Sequence, residues 1–286
     1  MKSIINYHVI DRKNIGDLLS SPLHYFYFPG YQLEEADIRQ PNAFASQNKH
    51  IILGGGGLIY KRFLNNIQEI ISFANRGKLI LWGSGQQSYD TSNTDKIQNF
   101  NYSQYLDQFD LIGIRDYESG YFWLPCVSCM HPAFNQKREI KHEFVVFSHK
   151  KFQIKIDSFP RMTNESQNIE EILDFLGSGE TILTSSYHGA YWGTLLGRKV
   201  LAFPFSSKFN TLKHKPSLYP SFRWRQNKKR FFILNKMVYE YRYKNKFSTN
   251  IDEWQTFLNH SRHYPESLEE SRLQNQLFYS QVLDIL

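Results

Sequence analysis

The sequence has few cysteines, and this scarcity excludes whole classes of protein. Its 286 residues contain two, Cys126 and Cys129. Two are too few for a disulfide-stapled scaffold, and a four-ligand zinc site would need histidines from elsewhere in the chain. The residues around them do not resemble the start of a helix, which is what lowers a thiol pKa in redox motifs. We therefore expect two packed or loop thiols rather than a redox pair or a metal site.

Long hydrophobic runs are also missing. No stretch approaches the about 20 uninterrupted apolar residues that a membrane-spanning helix needs. The N-terminal segment MKSIINYHVIDRKNIGD lacks the apolar core of a signal peptide, because its apolar run is interrupted at His8 and Asp11. The sequence therefore predicts a cytoplasmic protein.

Acidic residues are absent from 213–230, KHKPSLYPSFRWRQNKKR, in a chain whose formal net charge is +7. Such a stretch attracts phosphate, carboxylate, anionic lipid headgroups or nucleic acid, and a solvated basic loop explains it equally well. No DNA- or RNA-binding signature accompanies it, so we expect no nucleic-acid partner. The rings and cations from Phe222 to Arg230 suit a peripheral contact with the inner membrane face, so the expected location includes membrane association as an option.

Short apolar runs alternate with helix-compatible segments along the chain. The runs predict strands at 4–10, 50–56, 78–85, 109–115, 143–149, 181–186 and 199–205. The segments between several of them predict helices at 63–77, 165–179 and 188–198. Strands that alternate with helices predict an α/β fold with parallel sheets covered on both faces.

A polar, proline-bearing stretch at 131–142, HPAFNQKREIKH, interrupts this alternation and is the best candidate for a boundary. It divides the chain into two α/β domains, 1–135 and 136–286. The tail, PESLEESRLQNQLFYSQVLDIL, predicts a terminal helix with Pro265 near its start and acidic residues in its first turn. That helix can pack back onto the first domain.

Two loops that follow predicted strands contain glycines suited to ligand binding. Ligands of open parallel sheets bind at the carboxyl ends of the strands. In Asn14-Ile-Gly-Asp17, Gly16 allows a tight turn, while Asn14 and Asp17 can cap a helix or hold a substrate hydroxyl. The run Gly54–Gly57 lets a ligand approach the backbone, and its amides can form an anion nest. A plain capped turn and a sterically required turn are the alternative interpretations.

Arg115 ends another predicted strand, beside Asp116. A guanidinium at the carboxyl end of a strand is placed to hold a carboxylate or phosphate. A structural ion pair between Arg115 and Asp116 is an equally weighted alternative, since paired buried charges are commonly structural.

The most unusual block is 182–209, ILTSSYHGAYWGTLLGRKVLAFPFSSKF. It predicts a strand that ends in hydroxyls, then His188 and Gly189 at the opening of a helix, and Lys208 after the next strand. The free N–H groups of such a helix start face the same opening as the histidine. A histidine is the usual group for proton transfer near neutral pH, although a lone histidine is more often a satisfied polar residue.

These motifs together resemble the polysaccharide pyruvyl transferase family. They occur in family order as NIGD at 14–17, ILGGGG at 52–57, WGSG at 82–85, IRDYES at 114–119 and TSSYHGAYWGTLLGRKVLAFPFSSKF at 184–209. The resemblance implies two Rossmann-like halves that face each other across a cleft, as in GT-B glycosyltransferases. It also implies transfer of a pyruvyl group from phosphoenolpyruvate to a sugar of a surface polysaccharide or its lipid-linked precursor.

Roles for individual residues follow from the same resemblance. His188 is the expected acid/base, and Arg115, Ser186, Gly189 and Lys208 are the expected donor-binding positions. Residues expected to bind the acceptor or line the cleft are Asn14, Gly16, Asp17, Gly55, Gly56 and His149. We expect no cofactor beyond phosphoenolpyruvate as co-substrate, and no obligatory metal.

One position departs from the family pattern. Many members have an arginine two residues before the histidine, and this chain has Ser186 there. Serine cannot supply the charge that an anionic donor needs, so another cation has to do so, or the donor differs. The candidate replacements are Arg115, Lys208, the segment 149–151 and the basic stretch 213–230. A GT-B glycosyltransferase that uses a nucleotide sugar and a non-catalytic glycan-binding relative are the two alternatives.

Overall fold

The computed structural model describes residues 2–89, 99–220, 224–233, 236–249 and 251–286. Phe222 and Arg223, which we singled out for membrane contact, lie outside the described residues. Within those ranges the chain forms two parallel sheets, a smaller third sheet and helices that cover them.

The first sheet contains six parallel strands in the order β2-β1-β3-β4-β5-β6. In chain order these are β1 (Lys2–His8), β2 (Tyr31–Asp37), β3 (Lys49–Ile59), β4 (Leu79–Gln86), β5 (Leu111–Ile114) and β6 (Phe122–Trp123). The helices among them are α1 (Ile15–Leu18), α2 (Leu64–Ile71) and α3 (Ser103–Leu106). Single 3-10 turns follow at Pro22–His24, Val127–Met130 and Pro132–Asn135.

The second sheet contains five parallel strands, two of which come from the block around His188. In spatial order they are β12 (Ser217–Leu218), β11 (Lys199–Ala202), β10 (Gly179–Thr184), β7 (His142–Ser148) and β9 (Arg161–Thr163). Helices α4 (Ile169–Gly177) and α5 (Tyr187–Leu195) precede and follow β10, and a 3-10 turn covers Ser207–Phe209.

A third sheet is formed by a long hairpin and one short strand. Strands β13 (Arg225–Ile233) and β14 (Lys236–Thr249) pair antiparallel, and the end of β14 runs parallel to the short β8 (Phe152–Ile154). We predicted no strands here. Beyond it come a 3-10 segment, Trp254–His260, and the C-terminal helix α6 (Ser267–Ile285).

Both faces of the first sheet are buried. Successive residues of each strand point to opposite sides of the sheet, and a helix covers each side. Leu79 and Leu81 of β4 pack with the apolar face of α2, whereas Ile80 and Trp82 pack with α6. The indole Nε1 of Trp82 donates a hydrogen bond of 3.1 Å to Asn275 Oδ1. The C-terminal helix thus packs on the first sheet.

The second sheet is covered in the same way. Phe147 and Ile182 pack with α4 and α5 on one face, and the other face packs around Leu183 and Trp254. The expected α/β fold with parallel sheets is confirmed, since a strand is present at each of the seven predicted positions. All strands of the first sheet precede residue 124 and all strands of the second follow residue 141, so 124–141 connects the two sheets. Among the helices that the structure describes, none combines the length and hydrophobicity needed to cross a membrane.

Candidate active site

A cavity of about 200 Å³ lies where the carboxyl ends of the two parallel sheets meet. The first sheet contributes the loops after β1 and β4 and the glycines of β3, and the second contributes the loops after β7 and β11. The predicted site residues that line this cavity are Asn14, Asp17, Gly55, Gly56, His149 and Lys208. The predicted residues outside its lining are Gly16, Arg115, Ser186, His188 and Gly189.

The glycine run gives the cavity a wall of bare backbone. Gly55 and Gly56 have φ angles of +84° and +89°, in the left-handed region that favours glycine. A side chain at Gly55 would collide with Ser20, whose Oγ lies 2.3 Å from the position of a Cβ atom. At Gly56 no atom lies within 4 Å of that position. Gly55 is therefore required by packing, while Gly56 leaves the backbone open to an approaching molecule.

Asn14 connects the two sheets beside Asp17. Its Nδ2 donates to Asp17 Oδ2 at 2.7 Å, and its Oδ1 accepts at 3.2 Å from Nδ2 of Asn164, which follows β9 of the second sheet. Burial raises the pKa of Asp17, an effect that the nearby Lys208 partly opposes. The turn is therefore bonded to both halves of the cavity, with a carboxyl group at its centre.

Lys208 is a cation with no acidic partner at hydrogen-bond distance among the described residues. Its Nζ lies 5.4 Å from the ring centre of Tyr187 and 5.1 Å from that of Phe205. Within the described residues its ammonium forms no ion pair. Burial and the neighbouring Arg115 lower the pKa of Lys208 to about 7, although Asp17 acts in the other direction. A bound anion would relieve this cost.

Arg115 is a second cation that packs on the Tyr187 ring. Its side chain is only 4% exposed, and its guanidinium carbon lies 4.4 Å from the centre of that ring. Nε and Nη2 are both buried, with no hydrogen-bond partner in the described part of the chain. Nη2 lies directly behind the cavity wall, because a Cβ on Gly57 would be 3.2 Å from it.

Asp116 does not satisfy that guanidinium. Its carboxylate accepts hydrogen bonds from the backbone N–H of Gln86, the hydroxyl of Tyr102 and the hydroxyl of Thr211. Burial raises the pKa of Asp116 although Arg115 lies nearby. Of the two interpretations that the sequence left open, the hydrogen-bonded Arg115–Asp116 pair is absent from the described residues, where Nε and Nη2 of Arg115 have no partner.

His149 is a neutral histidine on the cavity wall. Its Nδ1 accepts a hydrogen bond of 3.1 Å from the backbone N–H of Lys151, and its ring packs on Phe205. Burial and the charges of Lys208, Lys150 and Lys151 lower its pKa to about 3. His149 therefore adds no positive charge at neutral pH, and only the lysines of the segment 149–151 can do so.

His188 lies in the first turn of α5, behind the cavity lining and 8% exposed. Its Nε2 is 3.8 Å from Cys126 Sγ, and its ring packs on Trp192. Gly16 covers the other side of the ring, where an added Cβ would lie 2.0 Å from Nδ1. Burial, followed by the charges of Lys208 and Arg115, lowers the pKa of His188 well below its usual range. The imidazole is neutral in the unliganded protein.

Ser186 and Gly189 build the start of the helix that carries His188. The Ser186 side chain accepts a hydrogen bond of 3.3 Å from the backbone N–H of Gly189, so Ser186 is the N-cap of α5. A Cβ at Gly189 would lie 2.4 Å from Thr184 Oγ1 and 2.5 Å from Phe147. The N–H of Gly189, which we expected to face a ligand, is used by the cap, and the glycine allows close packing of α5 on β10.

Sequence reasoning missed Tyr187, whose ring is close to both cations and is 4% exposed. Its only signal was its position next to His188. Arg39 and Arg62 also line the cavity and had no distinguishing pattern. Both cysteines are buried free thiols, and burial raises the pKa of each, that of Cys129 to about 12. Packed thiols were the favoured interpretation, and the structure agrees with it.

Comparisons with known proteins add little to this geometry. No protein-family model and no curated protein matches the chain. Among solved structures, a functionally uncharacterized protein from Klebsiella pneumoniae subsp. pneumoniae NTUH-K2044 is similar to it, with 16% sequence identity and a TM-score of 0.42. The match covers 71% of this chain and 83% of the Klebsiella chain. What the cavity can do therefore has to be inferred from its own residues.

Proposed function

We propose that the protein transfers a pyruvyl group from phosphoenolpyruvate to hydroxyl groups of a saccharide, free or attached to a lipid. In this proposal the two sheets with their helices act as the two Rossmann-like halves of a GT-B-like enzyme, and the cavity between their strand ends is the active site. The transferase interpretation originates in the sequence resemblance. The geometry of the charged residues supports it independently.

The observation that carries the proposal is the pair of cations around Tyr187. The Arg115 guanidinium is buried with two unpaired N–H groups, and Lys208 forms no ion pair within the described residues. A buried charge without a partner is costly, and it is usually paired or bound to a ligand. Phosphoenolpyruvate offers two anionic groups, a carboxylate and a phosphate, which match a guanidinium fork and an ammonium.

Arg115 and Lys208 can also supply the positive charge that Ser186 lacks at the position where many family members have an arginine. The hydroxyl of Ser186 caps α5 and cannot supply charge. Arg115 reaches the same region from the first sheet, because its guanidinium packs on Tyr187, the residue that follows Ser186. We therefore assign to Arg115 and Lys208 the donor-holding task that an arginine performs elsewhere in the family. The segment 149–151 is a weaker candidate, since His149 is neutral and Lys150 pairs with Asp11.

The chemistry requires proton transfer and charge stabilisation. A proton adds to C3 of phosphoenolpyruvate while a sugar hydroxyl bonds to C2 and loses its own proton. The C2–O bond to phosphate then breaks, a second hydroxyl bonds to C2, and its proton leaves with the phosphate. The products are a cyclic pyruvyl ketal and inorganic phosphate. The π pair of the C2=C3 double bond forms the new C3–H bond, the C2–O bonding pair leaves with phosphate, and no oxidant or reductant is needed.

His188 is the proposed proton carrier. In the unliganded protein Lys208 and Arg115 help to keep its ring neutral. A donor that neutralises these two cations removes that part of the effect and raises the pKa of His188 toward the range in which it can both accept and give a proton. Asp17 and His149 line the cavity itself and are placed to contact the acceptor.

The size of the cavity favours a small donor over a nucleotide sugar. Its volume of about 200 Å³ is below the about 300–1,000 Å³ of pockets that enclose drug-sized ligands. Thermal shift measurements with phosphoenolpyruvate, UDP-sugars and GDP-sugars separate the two classes of donor. Stabilisation by a nucleotide sugar alone would favour a glycosyltransferase. Stabilisation by none of the three kinds of compound would favour a glycan-binding protein.

The decisive experiment is mass spectrometry of the products. The protein is incubated with phosphoenolpyruvate and a panel of sugars and lipid-linked sugars, and released phosphate is quantified in parallel. A product heavier than its acceptor by one pyruvyl ketal, formed with one equivalent of phosphate, supports the proposal. Phosphate release without a modified sugar, or no turnover on any acceptor in the panel, contradicts it.

A further inference from the structure

The hairpin of β13 and β14 carries the charge excess of the entire protein. Residues 225–249 contain eight of the 34 Lys and Arg residues but only one of the 27 Asp and Glu residues, Glu240. The remaining 26 basic and 26 acidic residues balance, so the formal net charge of +7 resides on this hairpin. The basic stretch 213–230 noted in the sequence overlaps the hairpin only at 225–230.

One face of the hairpin is aromatic and exposed. Phe231 pairs with Tyr239 across the strands, and Lys229 pairs with Tyr241. Because alternate residues of a strand share a face, Tyr243 lies on the same side. Phe231, Tyr239, Tyr241 and Tyr243 are between 36% and 56% exposed. Lys229 Nζ lies 5.0 Å from the ring centre of Phe231, so a cation accompanies the rings.

Exposed apolar side chains lie next to the end of the hairpin, whose last pair is Ile233 with Lys236. Phe232, Met237 and Val238 are 59%, 53% and 56% exposed, beside a register shift between Phe231 and Phe232. The opposite face is charged, with Glu240 bonded to Lys228, Arg230 and Arg242. Exposed apolar side chains that cluster on one element mark an interaction surface rather than ordinary surface variation.

We propose that this hairpin is a membrane-docking element, whose exposed apolar side chains and aromatic face enter the interface of an anionic lipid bilayer while its lysines and arginines contact the headgroups. Aromatic rings and basic side chains together are what the interface between lipid and water favours. Nucleic-acid phosphates would not require the exposed Phe232, Met237 and Val238. A second copy of the chain would bring a surface of the same charge, which opposes association.

The base of the hairpin is attached to the wall of the cavity. Phe247 of β14 lies opposite Phe152 of β8, and their rings stack with centres 5.0 Å apart. Phe152 stacks in turn on Phe205, with centres 3.9 Å apart, and both rings line the cavity. Docking would therefore bring the cavity toward the membrane surface, where a lipid-linked saccharide is held. The docking itself does not depend on the chemistry that we propose for the cavity.

Cosedimentation of the full-length protein with vesicles tests the proposal, without any donor or acceptor present. We expect the protein to pellet with vesicles of phosphatidylcholine and phosphatidylglycerol, but not with phosphatidylcholine alone, and to be released by high salt. The double variant Phe232→Ser/Val238→Ser should weaken binding by about tenfold or more. Lys229→Gln/Lys246→Gln should weaken it by about fivefold per lysine.

Matched controls remove the same kinds of side chain elsewhere. Phe44→Ser/Leu273→Ser removes two exposed apolar residues, and Lys137→Gln/Lys141→Gln removes two exposed lysines. Both controls should bind vesicles as the unmodified protein does, and circular dichroism checks that every variant is folded. Absence of binding to anionic vesicles, or equal loss in the controls, overturns the proposal. Two other results would also overturn it. One is a dimer that forms without lipid and is lost only in the hairpin variants. The other is binding to a DNA or RNA duplex, with no binding to vesicles, that is lost only in those variants.

Discussion

Gly16 and the imidazole of His188 are in contact across the two parallel sheets, and a single methyl group added to Gly16 would lie 2.0 Å from His188 Nδ1. The contact joins the motif after β1 to the histidine of α5, two segments that are far apart in sequence. It explains why glycine is needed at a position whose backbone conformation does not demand it. The histidine can keep its place only while position 16 has no side chain.

The substitution Gly16→Ala should therefore displace the His188 ring. Overpacking of this kind costs about 1–3 kcal/mol of folding free energy, and a misplaced acid/base should lower turnover by at least about tenfold. Chemical denaturation and steady-state kinetics measure the two effects. Gly30→Ala is the control, because it adds a methyl group in open space at a φ of +80° and should affect stability alone. Full activity of Gly16→Ala would contradict the role of this contact.

His188→Asn should lower kcat by about 10²–10⁴-fold, the usual contribution of a general acid/base. Binding of phosphoenolpyruvate should be nearly unchanged, because the donor is held by other residues. Kinetics, calorimetric titration and a thermal melt separate these effects. His24→Asn, which removes a histidine that pairs with Glu35 away from the cavity, should leave kcat unchanged. If His188→Asn unfolds the protein, the histidine serves packing.

Arg115→Met should reduce donor affinity by about hundredfold or more, because it removes the buried donors of charge-assisted hydrogen bonds. The same change should leave the free energy of unfolding unchanged or raise it, since an unpaired buried charge disappears. Calorimetric titration with phosphoenolpyruvate and urea denaturation measure the two quantities.

Arg138→Met is the matched control for that pair of measurements. Arg138 bonds to Asp174 and to the carbonyl of Ala133, so its loss should destabilise the protein and spare donor binding. A strongly destabilised Arg115→Met protein would instead mean that Arg115 is a structural residue.

Donor affinity should fall as the pH rises through about 7. Burial and Arg115 lower the pKa of Lys208 to about 7 in the free protein, and a bound anion favours the protonated ammonium, so binding takes up a proton. Above this pH the affinity should decrease by up to about tenfold per pH unit. Titration of Lys208→Arg should show a much flatter profile, because guanidinium stays charged. Identical profiles for the two proteins would rule out Lys208 as the cause.

The Lys208 ammonium also determines how one contribution to the free energy of unfolding changes with pH. The pKa of Lys208 is 10.5 in its usual environment and about 7 in the folded protein. Between these two values the unfolded chain binds more protons than the folded one, so this residue makes the unliganded protein more stable as the pH rises. Urea denaturation of the unmodified protein and of Lys208→Met across this range isolates the effect by difference.

Activity should persist in EDTA. Arg115 and Lys208 supply positive charge where phosphate departs, which is the task that a divalent cation performs in many phosphoryl enzymes. Assays with and without chelator, followed by addition of Mg²⁺, measure the dependence. Activity that EDTA abolishes and Mg²⁺ restores would show that the two side chains are insufficient.

The sequence was a good guide where a local pattern decides the outcome. Continuous apolar runs predicted β3, β4 and β10 because strands of parallel sheets are buried on both faces. Helix α4 (Ile169–Gly177) lies within the predicted range 165–179, and it begins four residues later than predicted because Asn168 caps its N-terminus by accepting from two backbone N–H groups. The loop Asn14–Asp17 follows β1 as predicted, but Gly54–Gly57 lies within β3 (Lys49–Ile59) and not in a loop after it. The glycines still reach the cavity because the carboxyl end of β3 lies there.

What the sequence could not give was the choice of partners. Nothing local distinguishes an Arg115 that pairs with its neighbour from one that keeps free donors, because Thr211 and Tyr102, which occupy Asp116, come from distant segments. The hairpin had a signal that we overlooked, the alternation of Tyr239, Tyr241 and Tyr243 with charged residues. We described this part of the chain only by its basic composition, and composition does not reveal an alternation with a period of two residues.

The location of the charge excess has a consequence for how the molecule moves. A body with balanced charge and one arm of charge +7 has a large electric dipole along that arm. The arm is long, since the ten residue-to-residue steps from Met237 to Phe247 span about 34 Å of extended strand. Near any negatively charged surface the field turns such a molecule before contact is made, so that the arm arrives first and the neutral body trails behind it.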